Sequence, residues 1–226
     1  MKQIKVYQNE SYKELGILYG LFFEDLNHAA DGGLYAEMVQ NRSFEYCETD
    51  RKDYHALTAW ERTGELEWEV QTGWPLHPDN PHYLHVEVQP GSAVCNKGYN
   101  TGIFVEEGKC YDFSMYAGHV EGSIRICVSV ETEDASVCAK SVLTISGSAW
   151  QKYELQLRAS QTTTCGRLVL TFETSGTCDL DMISLFPQET FLGKKAVCGR
   201  ISPRRYRKCI RNLCVFPVAV LCMTAV

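Results

Sequence analysis

Ile124-Arg125-Ile126-Cys127-Val128-Ser129-Val130 is the stretch that sets the fold class. A period of two places the branched residues on one side of an extended chain and Arg125, Cys127 and Ser129 on the other. That is the pattern of a strand with one face in a core. The same rhythm recurs on either side. Leu66, Trp68 and Val70 share one face, as do Leu84, Val86 and Val88, with Tyr83 and His85 on the opposite side. Tyr111, Phe113 and Met115 follow, then Tyr153, Leu155 and Leu157, then Leu168, Leu170 and Phe172, then Leu180, Met182 and Ser184. Turn clusters separate them, among them Gln89-Pro90-Gly91-Ser92, Glu106-Glu107-Gly108-Lys109 and Ser175-Gly176-Thr177. Short strands at this spacing, with no helical pattern between them, predict a mainly β fold over residues 56–188. The expected form is a jelly-roll or galactose-binding-like β-sandwich. No longer period repeats, which excludes a solenoid or a propeller.

Residues 1–55 read differently. An apolar run, Ile17-Leu18-Tyr19-Gly20-Leu21-Phe22-Phe23, ends in Glu24-Asp25, with Asn27 and His28 just beyond and a turn at Asp31-Gly32-Gly33. Leu34 to Val39 then predicts a short helix, with Leu34 and Met38 on one face. Buried strand, polar strand end, turn and helix make a β/α unit, whose functional groups gather at the carboxyl end of the strand. Residues 189–226 form an aberrant basic tail: from Thr190 onward there are eight Lys or Arg and no Asp or Glu, with neither helical nor strand periodicity.

The 226 residues carry a net charge of −6, with 45% hydrophobic and 22% charged residues, enough for a sizeable core. The acidic balance speaks against a nucleic-acid partner, which calls for a basic face. The longest apolar run, Val215–Val226, is shorter than the roughly 20 residues that span a bilayer, so no membrane partner is expected. The first residues contain no apolar leader, which points to the cytoplasm. The 11 cysteines include no Cys-x-x-Cys pair and are expected to be small buried hydrophobes in a reducing compartment. His28, His55, His77, His82, His85 and His119 show no zinc-ligand spacing beyond a lone His82-x-x-His85, which alternation sets on opposite strand faces, and they read as surface histidines, with no metal or other cofactor expected. Glycine loops that cradle phosphate and nucleophile elbows are absent.

The string from Tyr19 to Glu45, YGLFFEDLNHAADGGLYAEMVQNRSFE, resembles the opening of the α-L-arabinofuranosidases of glycoside hydrolase family 51. Leu180-Asp181-Met182-Ile183-Ser184-Leu185-Phe186-Pro187, followed by Glu189-Thr190-Phe191, resembles the string that closes an inserted carbohydrate-binding-like sandwich in such proteins. The resemblance implies the first strand of a (β/α)8 barrel ahead of the sandwich, with the remainder of the barrel after it. It stops at Lys195. A shifted codon register can spell, with permitted codons, a continuation ending in the Arg-Phe-Pro-Gly-Gly-Cys string of the family, so the tail is read as out of frame. The two catalytic glutamates of the family fall beyond the end of this chain, and no catalytic residue is assigned within it. Glu24 matches a glutamate that holds arabinose hydroxyls, and Asn27 lies on the same rim.

The sandwich carries its own carbohydrate-binding candidates, Trp74, Tyr83, Tyr99 and Tyr116, with Asn96 and Asn100 beside the turn at Asn96-Lys97-Gly98-Tyr99. Aromatic faces stack on the C–H patches of sugars while amides take hydroxyls. The competing reading of each aromatic is core or cross-strand packing, which is expected of Trp60 and Trp68. Two functions stay open. One is a truncated α-L-arabinofuranosidase, inactive alone and not an oligomer. The other is a stand-alone sandwich that binds an arabinose-containing polysaccharide or oligosaccharide such as arabinan or arabinoxylan.

Overall fold

The computed structural model describes His28, Gly32, Gly33 and residues 35–190. Among these residues there are strands and turns and no helix. The strands are β1 (Trp60–Thr63), β2 (Leu66–Gln71), β3 (Tyr83–Val88), β4 (Ala93–Asn96), β5 (Ile103–Val105), β6 (Cys110–Gly118), β7 (Val120–Glu131), β8 (Val137–Gly147), β9 (Gln151–Arg158), β10 (Thr163–Phe172) and β11 (Gly176–Pro187). They form two antiparallel sheets. One has the order β1-β4-β10-β7-β8, with β5 attached to β10, and the other β2-β3-β11-β6-β9.

The expected β-sandwich is present, and the alternation decides which side chains fill it. Ile124, Ile126, Val128 and Val130 of β7 are fully buried. They share one core with Leu84, Val86 and Val88 of β3, Met115 of β6 and Leu180 and Leu185 of β11. The alternate positions point outward. Glu69 and Gln71 of β2, Tyr83 and His85 of β3 and Asp179 of β11 therefore line the outer face of the second sheet. Trp60 is buried in the core and Trp68 packs against it, as the sequence predicts. The cysteine expectation holds in part. Among the described residues Cys95, Cys138 and Cys178 are buried, whereas Cys47 and Cys165 are exposed, and all are free thiols. Burial pushes the Cys178 thiol far up.

Two local expectations give way. The segment Tyr35–Val39 is not helical. It runs extended along the end of β11, where the Met38 N–H donates to the Leu185 carbonyl at 3.0 Å. The cause is Glu37, 1% exposed. Its Oε1 accepts from the backbone N–H groups of Met38 (3.0 Å), Val39 (3.0 Å) and Leu185 (2.9 Å). Its Oε2 accepts from the Ser184 hydroxyl and lies 3.6 Å from Arg42 Nη1. Donors that a helix would satisfy internally are thus claimed by one carboxylate.

The second departure lies in β11. Leu180, Met182 and Ser184 do not share a face, because the register against β6 shifts between Asp181 and Ser184. Met182 sits at φ 49°, and Ile183 and Leu185 become the inward residues. A bulge of this kind adds a residue to one strand and reverses the alternation beyond it. The apolar run from Ile17 to Phe23, Glu24, Asn27 and the tail from Phe191 lie outside the described residues.

Candidate functional site

A cluster of aromatic and imidazole side chains occupies one end of the outer face of the β2-β3-β11-β6-β9 sheet. Register brings it together. Asp179 of β11 pairs with His85 of β3 on one side and with Gly118 of β6 on the other. Trp74 enters from the loop between β2 and β3, and Trp150 from the turn before β9. Gly118 provides the floor: a Cβ there would stand 2.8 Å from the Trp74 ring and 3.0 Å from the Trp150 ring. Only a residue without a side chain lets both indoles lie on the backbone.

The indoles stack with centroids 5.2 Å apart and planes 15° from parallel, and Trp150 Nε1–H donates to the Trp74 carbonyl at 3.0 Å. His119, just past β6 and at φ 45°, lays its ring on Trp74 with centroids 3.8 Å apart. Tyr83 meets Trp150 edge to face at 5.6 Å, and its hydroxyl donates to Gln71 Oε1 at 3.3 Å. Burial, reinforced by the charge of Asp179, raises the Tyr83 phenol above its ordinary value.

Asp179 anchors the polar side. Its side chain is 2% exposed, while those of His85 and His119 are 36% and 49% exposed. Oδ1 lies 2.6 Å from His85 Nδ1 and Oδ2 lies 2.7 Å from His119 Nδ1. A carboxylate oxygen accepts and does not donate, so each Nδ1 carries a proton, and in a neutral imidazole the Nε2 at the surface is then an acceptor. The cluster thus combines two half-buried indoles, packed over a buried Tyr83, with two imidazole edges whose planes are fixed from below.

The sequence candidates divide. Trp74 and Tyr83 belong to the cluster. Tyr116 lies on the same outer face in an adjoining row, opposite Asp181 of β11 and Lys152 of β9. Asn96 and Tyr99 do not join them. Asn96 is fully buried, with its Nδ2 donating to the Gln40 carbonyl at 2.9 Å and its Oδ1 accepting from Gln40 N (3.2 Å) and Gly98 N (2.9 Å). Its amide is committed to internal backbone and clamps the segment before β1. Tyr99 is buried against Gly32, with its ring 5.0 Å from that of His28. Glu24 and Asn27 lie outside the described residues.

Trp150, His85, His119 and Asp179 are not marked by the sequence, because the carboxylate that joins the two histidines is remote from both in the chain. Among the described residues no group of His, Cys, Asp or Glu is arranged to hold a metal ion.

Along β11 the acidic row continues. Asp181 is fully buried. Its Oδ1 accepts from Met182 N at 2.6 Å, but its Oδ2 has no hydrogen-bond partner. Burial pushes this carboxyl up to about 7; the Met182 N–H and Arg42 oppose the rise, and Glu45 adds to it. Burial also raises Glu37, against the donors gathered around it.

No family model matches the sequence. An extracellular exo-α-L-arabinofuranosidase of Streptomyces chartreusis is 43% identical over 176 residues, covering 77% of this chain and 20% of that protein. Alpha-L-arabinofuranosidase 1 of Arabidopsis thaliana is 31% identical over 189 residues, 78% of this chain and 27% of that protein. The chain thus spans less than a third of the length of these relatives. Among solved structures, an arabinose-bound MgGH51 α-L-arabinofuranosidase superposes with a TM-score of 0.70 at 27% identity, over 81% of this chain and 31% of that one. Sequence and fold together place this chain in the α-L-arabinofuranosidase family, as a part of such a protein's length.

Proposed function

We propose that this chain is the glycan-contacting, non-hydrolysing part of an α-L-arabinofuranosidase. The whole protein would remove terminal non-reducing α-L-arabinofuranosyl groups from an arabinose-containing polysaccharide or oligosaccharide. The observation that carries the binding role is the seating of Trp74 and Trp150 on Gly118 beside Tyr83 and two half-exposed imidazoles. Aromatic carbon suits the C–H patches of a sugar ring, and the flanking polar edges suit its hydroxyls. Glu24 and Asn27 are assigned to the arabinose pocket of the whole protein, as acceptor and neighbour of sugar hydroxyls.

Retaining hydrolysis takes two carboxyl groups about 5–5.5 Å apart, one as acid/base and one as nucleophile. No glutamate of this sequence stands in the family motif that supplies them. The 226-residue chain is therefore expected to release nothing above blank from a chromogenic α-L-arabinofuranoside. Turnover that co-purifies with the chain would overturn the non-hydrolysing reading. In native affinity electrophoresis the chain is expected to be slowed by arabinan or arabinoxylan, and W74A/W150A is expected to run free. Unretarded migration of the wild type on both polymers would sink the binding role.

A further inference from the structure

Resting on that binding role, we propose that the Asp179-held pair His85 and His119 is the specificity element of the site, selecting hydroxyl-rich neutral sugars over uronate-bearing ones. The pair is built from three strands whose register sets Asp179 between His85 and Gly118, the residue before His119. Each carboxylate oxygen takes one Nδ1–H, at 2.6 Å and 2.7 Å, and the carboxylate is almost wholly removed from solvent. Neither ring can turn over without losing that bond. The His119 ring is held flat on Trp74 as well, at 3.8 Å between centroids.

The consequence is chemical. In the neutral form each imidazole holds its one proton at Nδ1, so both Nε2 atoms are lone-pair acceptors, and the selection belongs to that form. A ligand that satisfies them must bring O–H donors, and a sugar with neighbouring free hydroxyls stacked on the indoles does so. A uronate carboxylate offers no proton. It would also approach a negative surround, since Glu69 pairs with His85 across β2 and β3 and Asp179 lies beneath. An acidic chain is therefore rejected both for lack of a donor and by like charge, a repulsive element added to the attractive one.

Asp179→Asn gives this assignment a distinctive signature. The two side chains have the same shape, but an asparagine presents one acceptor oxygen and one NH2 donor. The imidazole facing the NH2 must accept at Nδ1, so its proton moves to Nε2 and a surface acceptor becomes a surface donor. One negative charge is lost in the same change.

The test uses the full chain in native affinity electrophoresis at about pH 8.5, where an ordinary imidazole is neutral, with linear arabinan and with polygalacturonate. Wild type is expected to be retarded by arabinan and not by polygalacturonate. H85A and H119A are each expected to weaken the arabinan affinity about fivefold, the worth of one hydrogen bond. D179N is expected to lose arabinan affinity and gain retardation by polygalacturonate. If wild type binds arabinan while H85A and H119A bind equally well, the selector role is overturned and the aromatic binding site stands. If wild type binds neither polymer, the binding role falls, and the selector with it. Should D179N fail to fold, the two half-exposed histidine variants decide the matter without it.

Discussion

Asp181 has two oxygens in unlike surroundings, one on the Met182 N–H and one buried without a partner. Its pKa rises from 3.8 to about 7, chiefly because burial disfavours the charged form. The sign of the effect on stability follows from linkage. The folded chain holds this proton more tightly than the unfolded one, so ionisation costs the folded state. The penalty is absent below about pH 4, grows through the window from about 4 to 7, and is constant above it. Three units at about 1.4 kcal/mol each set an upper order of magnitude of about 4 kcal/mol. Asp181→Asn removes the titration. The urea midpoint of wild type is expected to fall between pH 5 and pH 8 more steeply than that of the variant, and parallel profiles would exclude Asp181 as the source. The residue was legible from sequence only as part of a family string. Its burial was not, because the chain segment with Arg42 and Glu45 lies far from it in sequence.

β11 shows how far an element can be read in advance. Its first half keeps strict alternation, with Cys178 and Leu180 inward and Asp179 outward, and that much follows from a period of two. The bulge at Met182 does not, since an extra residue is defined only against the partner strand, here β6. The helix expected from Leu34 to Val39 fails for a related reason. Its pattern ignores a carboxylate that finds its donors on β11. The meeting of β6 with the two indoles rests on Gly118, which makes Gly118→Ala a test of the cluster. The added methyl has to displace rings less than about 3 Å away, at a cost of roughly 1–3 kcal/mol. A lowered melting temperature and a changed near-ultraviolet circular dichroism signal from the stacked tryptophans are expected. An unchanged spectrum would show that the rings do not lie on that backbone.

Among the described strands, most neighbours are remote in sequence: β4 lies beside β10, and β3 beside β11. Closing such loops precedes the reward of pairing, so refolding from urea is expected in the millisecond-to-second range. Microsecond relaxation in a temperature jump would contradict that topology. The family resemblance and the sandwich class could be drawn from the linear chain, because motif strings and apolar periodicity are local properties that need no partner. The arrangement of the site could not. Asp179 meets His85 across 94 positions and His119 across 60, and no spacing rule joins them until strand order and register are set. The separation of Asn96 and Tyr99 from Trp74 and Tyr83 has the same origin. An aromatic or an amide in a sandwich has no intrinsic side, and the packing of two sheets gives it one.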